Sequence, residues 1–377
     1  MVTRATREST PIVWHDFTEQ ERDMKPELPP DVSPDDAEIL WTAAGRPFVR
    51  TPDECFADLP DYPWASNYAA VDGMRMHYVD AGDPDGEVVL LLHGQPDWSY
   101  LYRKMIPVLA AAGFRVIAPD CIGFGKSDKP VQLADYRFLQ HVAWIGEFID
   151  VLGLDAITPV VQDWGSLIGL RCVGDRPDLF ARIVVANGNL LVLPEGAEIL
   201  TLPDSLEPQD LEFPNVISPG GGMQLFEAWA AYALVGKDFM PSVPMRATIE
   251  AGITDAELAA YDAPFPSRIY MAGPRTFPSL VNTVGDAPTN EAARAALEAF
   301  NRPVLGCFGL LDPIFGTPDS IAATRERITG AVGQPHHDYP DAGHMIQEDA
   351  GEDLAARIAA WMRDTPRPRT PRLHSRR

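Results

Sequence analysis

Val160-Val161-Gln162-Asp163-Trp164-Gly165-Ser166 carries an apolar strand into a helix across one sharp turn. Small residues at 165 and 166 and a β-branched one at 161 leave room for that turn. The pattern is the small-x-nucleophile-x-small elbow, with aspartate where serine is usual. Such a turn exposes its apical side chain over the carboxyl edge of a sheet, at a helix N-terminus. The free N–H groups and the dipole there keep a carboxylate ionised. Taken alone, the elbow also admits Asp163 as a simple helix cap. A serine would need a base to remove its proton before attacking an acyl carbon. A carboxylate is already anionic and can displace a leaving group at saturated carbon. The product is an ester of Asp163, and its hydrolysis by water calls for a histidine base.

Two downstream segments supply what that scheme needs. Phe308-Gly309-Leu310-Leu311-Asp312 ends one predicted strand with an acid, and Asp341-Ala342-Gly343-His344 follows the next. The order nucleophile, acid, histidine is that of the α/β-hydrolases. Asp312 would orient the imidazole and stabilise its cation, and His344 would activate water. His77, His336 and His337 fall within or beside strands, where a structural role is the better reading. Upstream, His93-Gly94-Gln95-Pro96 follows the strand VVLLL. Its glycine permits a tight turn, and its X-Pro bond is a candidate cis peptide. The backbone N–H of Gln95, with that of Trp164, could then form an oxyanion hole. H-G-x-P by itself could equally be only a structural turn.

Around these motifs the chain alternates. MRMHYVDAG, VVLLLHG, FRVIAPD, ITPVVQD, ARIVVANG and PVLGCFGLLD read as strands; LYRKMIPVLAAAG, HVAWIGEFIDVLGL and WGSLIGLRCVGD read as helices. Short apolar strands alternating with longer helices predict a mostly parallel sheet, here of eight strands, covered on both faces. Residues 190–288 break the rhythm with proline-rich stretches and helices such as MQLFEAWAAYALVG, so an inserted helical cap is expected between core segments 48–189 and 289–363. Residues 1–47 are expected to form a partly ordered extension outside the main fold. Ser33-Pro34-Asp35-Asp36 there signals a helix start ahead of AEILWTAA. From Thr365 the chain is basic and proline-rich, so residues 364–377 are expected to be a disordered tail.

Composition narrows the function. The 377 residues hold 31 basic against 54 acidic side chains, a formal charge of −23. That disfavours nucleic acid and anionic membrane surfaces as partners and leaves small neutral substrates open. The four cysteines show neither a disulfide framework nor zinc spacing. No metal or cofactor is expected. The N-terminal MVTRATRESTPIVWHDF lacks the apolar run of a signal peptide, and no apolar run approaches the ~20 residues that span a bilayer. A cytoplasmic location is the expectation.

HGQPDWSYLYRKMIPVLAAAGFRVIAPDCIGFGKSDKP, VVQDWGSLIGL and DAGHMIQED together resemble the haloalkane dehalogenases of the α/β-hydrolase superfamily. The resemblance runs from about Phe48 to about Met362 and includes the cap phrases FEAW and AYDAPFPSRIYMAG. It implies Asp163 as nucleophile, Asp312 as charge partner and His344 as base. It also implies that Trp164 turns its indole N–H to the departing halide, with Trp229 of the cap phrase as the second halide ligand. Phe226 and Pro96 would wall the pocket. Three positions depart from the family pattern. Gln95 stands where glutamate or asparagine is frequent, which leaves the role of its side chain open. Asp97 adds an acid expected near the mouth, and Ser166 replaces a frequent glycine. An epoxide hydrolase would use the same Asp163, His344 and Asp312, with cap tyrosines such as Tyr232, Tyr261 and Tyr270 as proton donors. The alternative from a different class is an inactive hydrolase fold that only binds.

Overall fold

The computed structural model describes residues 28–190, 200–213, 222–284 and 290–365. The sequence expectations for residues 1–27 and for the tail beyond Thr365 lie outside them, as do those for three cap segments, 191–199, 214–221 and 285–289. The centre of the molecule is a sheet of eight strands: β1 (Asn67–Val71), β2 (Met74–Gly82), β3 (Val88–Leu92), β4 (Arg115–Pro119), β5 (Thr158–Val161), β6 (Ile183–Ala186), β7 (Val304–Gly309) and β8 (His337–Tyr339). Their spatial order is β8-β7-β6-β5-β3-β4-β2-β1. Only the β1–β2 and β2–β4 pairs are antiparallel; the other five are parallel.

The apolar runs explain why the parallel strands sit in the middle. Val88, Leu90 and Leu92 of β3 feed one core, while Val89 and Leu91 feed the other. A strand that must be covered on both faces has no use for polar alternation. Helices α1 (Ile106–Ala111) and α2 (Phe138–Val151) lie on opposite faces. α3 (Asp163–Asp175) packs on α2, and the C-terminal helix Ile346–Asp364 packs on α1.

Between β6 and β7 the chain leaves the sheet to build the cap: α4 (Gly222–Val235), α5 (Ser242–Thr248), α6 (Asp255–Asp262) and α7 (Ala272–Thr276). α6 opens on a capping box in which Thr254 accepts from Glu257 N and the Glu257 carboxylate accepts from Thr254 N. This is the α/β-hydrolase architecture with its inserted helical cap. No helix among the described residues is long and apolar enough to cross a membrane.

The N-terminal segment differs from its sequence reading. Ser33 does cap, accepting from Asp35 N, but only the 3-10 turn Pro34–Asp36 follows. AEILWTAA instead contains the strand Leu40–Trp41, paired with Pro47–Val49, which in turn pairs with Lys129–Pro130. Leu28, Val32, Ile39 and Leu40 pack against the main core. Gly45, at φ 81°, turns the chain back between Leu40–Trp41 and Pro47–Val49.

Candidate active site

Asp163 sits at the junction of β5 and α3 with φ 47°, a left-handed conformation that a non-glycine residue holds only when its surroundings enforce it. Those surroundings are close. A Cβ on Gly165 would lie 2.2 Å from Leu92 O, and one on Gly94 would lie 2.4 Å from Asp163 Oδ1. Only glycine lets the elbow press against the loop after β3. Asp163 N donates to Asn187 O (2.9 Å), and Ser166 Oγ donates to Asp163 O (2.5 Å), which fastens both sides of the turn.

The three predicted triad residues come together at the carboxyl edge of the sheet. His344 Nδ1 donates to Asp312 Oδ2 at 2.9 Å, and its Nε2 lies 3.5 Å from Asp163 Oδ2. Asp312 is buried, and its second oxygen accepts from the N–H groups of Ile314 (2.8 Å) and Phe315 (3.1 Å). The Phe315 ring stacks on the imidazole. Burial works against a charged imidazole, but the Asp312 charge, together with Asp163, outweighs it. The His344 pKa is raised well above its ordinary value.

Gln95 N donates to Asp163 Oδ1 at 2.9 Å, so the loop after β3 aims its N–H at the Asp163 carboxylate. Trp164, as an early residue of α3, carries an N–H with no acceptor inside its own helix. The Gln95–Pro96 bond is cis. The Gln95 side chain serves the cap: its Nε2 donates to Pro274 O at 2.9 Å.

The tryptophans divide by their N–H groups. Trp98 donates to Ala260 O, Trp144 to Asp72 and Trp361 to Gln334. Buried indoles normally find such partners. Trp164 and Trp229 are at most 9% exposed, yet neither N–H has an acceptor among the described residues. Trp164 packs edge-on against Phe277. Trp229 lies in a separate aromatic group with Phe213, Tyr232 and Phe239. The two groups adjoin through α4, which packs on the 3-10 turn that carries Phe277. No ring-to-ring contact joins the two indoles among the described residues. Phe226 is half-buried on α4, one turn before Trp229, and Pro96 is buried beside Gln95.

Asp97 departs from its sequence reading. It is not at a mouth but fully buried, with Oδ1 3.4 Å from His93 Nδ1 and Oδ2 without a partner. Burial pushes its carboxyl up. His93 is held in turn by the segment just past β4, where its Nε2 accepts from Cys121 N at 2.9 Å.

Two polar residues act on the site without having been singled out by motif. Asn187, buried at the end of β6, donates from Nδ2 to Gly343 O (2.7 Å) and His344 O (3.2 Å) and accepts from Gly309 N (2.7 Å). It thereby ties the histidine loop to the end of β7. Gln162 Nε2 donates to His344 O at 3.2 Å and lies 3.3 Å from His344 Nε2. The one sequence signal for Asn187 is Asn-Gly immediately after an apolar strand, a turn signature at the same sheet edge. Among the described residues, no group of three or more His, Cys, Asp or Glu is placed to hold a metal ion.

Comparison with known proteins agrees with this geometry. The family model of the α/β hydrolase fold matches residues 87–351. A haloalkane dehalogenase of Mycobacterium marinum is 44% identical over 325 residues, covering 83% of this chain and 99% of that one. One from Psychrobacter cryohalolentis is 40% identical over 331 residues, covering 85% and 99%. Among solved structures, the tetrameric haloalkane dehalogenase of Paraglaciecola agarilytica superposes with a TM-score of 0.65 at 32% identity, covering 82% of this chain and 97% of that chain. An elbow built around aspartate, a histidine held by a buried acid and likeness along nearly the full length of these relatives lead to one assignment: the chain belongs to the haloalkane dehalogenases of the α/β-hydrolase fold.

Proposed function

We propose that this protein hydrolyses 1-haloalkanes to a primary alcohol, halide and a proton through a covalent ester on Asp163. The observation that carries the reading is the contrast between the two Asp163 oxygens. Oδ1 is held by the Gln95 N–H, and Oδ2 lies toward His344 Nε2. Oδ2 forms the bond to the halogen-bearing carbon while the carbon–halogen bond breaks, and the halide departs with its electron pair. The indole N–H groups of Trp164 and Trp229 receive it. Both are neutral donors that pH does not remove, so they stabilise the leaving charge without holding the anion permanently. Phe226 and Pro96 wall the apolar side.

Water then gives a proton to His344 Nε2 and its oxygen attacks the ester carbonyl carbon. The charge that develops falls on Oδ1, between the N–H groups of Gln95 and Trp164. Collapse breaks the bond to the alcohol oxygen, which takes its proton from His344. The regenerated Asp163 carboxyl ionises and releases the proton. Asp312 steadies the imidazolium throughout. In this scheme the helices within 190–288 act as a cap that closes the site over the core segments 48–189 and 289–363. The substrate is a small neutral halide compound, and the setting is cytoplasmic.

Epoxide hydration, which calls for a pair of cap tyrosines, is disfavoured by two of the three named above. Tyr261 spends its hydroxyl on Glu348, and Tyr232 donates to Asp238 O. The direct test is halide release from a 1-bromoalkane beside diol formation from an aliphatic epoxide. Halide release is expected to dominate; diol formation without halide release would overturn the reading.

The histidine gives a pH signature. In the free enzyme His344 faces two carboxylates that raise its pKa. Ester formation removes the Asp163 charge and with it one of those causes, so the pKa falls and the neutral base becomes available when it is needed. Displacement needs an ionised Asp163 but no neutral histidine. As pH falls, steady-state turnover is therefore expected to decline first, while a single-turnover halide burst persists to lower pH. Rapid-quench bursts and kcat measured across pH 5–8 check this; a parallel decline would contradict it.

A further inference from the structure

Residues 28–46 precede the family-matched span 87–351, yet they are fastened to the cap. Asp31, 10% exposed, pairs with Arg268 (Nη2, 2.5 Å; Nε, 2.8 Å) and with Arg275 Nη1 (3.2 Å). The Arg275 side chain is fully buried, and its Nε and Nη2 donate to Leu234 O at 3.0 and 2.8 Å. A guanidinium so enclosed needs a counter-charge, and Asp31 is the carboxylate in contact with it. Arg275 follows Pro274, whose carbonyl accepts the side chain of Gln95 (2.9 Å), and Gln95 N holds Asp163 (2.9 Å). The same element meets the core at Gly273, where an added Cβ would lie 2.8 Å from Gly123 O. α7 is thus clamped between the N-terminal arm and the core, with the loop after β3 hanging from it.

We propose that Asp31 is a positioning residue for the catalytic loop: through Arg275 it fixes the Pro274 carbonyl, and through that carbonyl the orientation of Gln95 at the nucleophile. The proposal rests on the functional reading above in taking the Gln95 N–H as the donor at the developing charge. Placement errors of ångström size at a reacting centre can cost up to about 100-fold in rate. Asp31→Asn in the full chain is expected to lower kcat/KM by roughly 10-fold, with Gln95→Leu in the same range. Because both act through one contact, the double variant should be no worse than the weaker single one, rather than showing the product of the two losses. Asp31→Glu should recover most of the activity. Amide exchange of the segment 268–280 should quicken in Asp31→Asn and stay at the wild-type rate in Gln95→Leu. Multiplicative losses, wild-type kcat/KM in Asp31→Asn, or unchanged exchange in that variant would overturn the proposal. Failure of the wild-type protein to release halide would instead overturn the functional reading, and the exchange experiment would still decide whether Asp31 fixes α7.

Discussion

Asp163→Ala is expected to release no halide from any 1-haloalkane, and His344→Gln to release one halide per active site and then stop. The two variants part because the two half-reactions use different groups. Displacement at carbon needs only the carboxylate, whereas hydrolysis of the ester needs a base at Nε2. Gln keeps the size and a hydrogen-bonding group at 344, so the loop tied by Asn187 and Gln162 should persist. The stalled protein should carry the mass of one alkyl group, located on the peptide containing Asp163. Because triad members act as a unit, adding Asp312→Asn to His344→Gln should make little further difference to turnover. A His344→Gln protein that releases halide but gains no mass would remove the ester from the mechanism.

Trp164→Phe is expected to reduce kcat on the order of 100–1000-fold. Breaking the carbon–halogen bond turns a weak dipole into a full negative charge, so a donor aimed there favours the transition state over bound substrate. Phenylalanine keeps the aromatic contact with Phe277 and removes only the N–H. The same variant should bind bromide weakly, read as reduced quenching of tryptophan fluorescence. Trp229→Phe should show a smaller loss of the same kind. Its indole sits among Phe213, Tyr232 and Phe239, where a phenyl ring packs well, so stability should hardly change. Normal activity in Trp229→Phe would assign the second donor elsewhere, with the free N–H of the Gln95 amide as the first candidate.

The candidate site was legible because its residues stand where sequence patterns are strongest. Asp163 and Asp312 each follow an apolar strand and His344 follows the short β8, and parallel strands must end at one edge. The elbow left its mark in Gly165, which the Leu92 carbonyl would otherwise strike. Features set by distant contacts did not show. Ser33-Pro34-Asp35-Asp36 reads as a helix start, but pairing of Leu40 and Trp41 with Phe48 and Pro47 wins, so the cap signal produces only one short turn. Asp97 follows a loop that reads as solvent-facing; its burial depends on His93 reaching Cys121 N across the fold. The Gln95 side chain and Asp31 take their roles from the cap, through residues nearly 180 and 240 positions away, and no local spacing encodes that.

The central claim is that the oxygen of the first alcohol comes from the protein. A single turnover with enzyme in excess over a 1-bromoalkane, run in H2 18-O, tests it directly. Attack by Asp163 predicts an unlabelled alcohol and one 18-O atom in the Asp163 carboxylate, since water enters at the ester carbonyl carbon. Labelled alcohol in that first turnover, with Asp163 unlabelled, would mean that water attacks the carbon itself and would contradict the account.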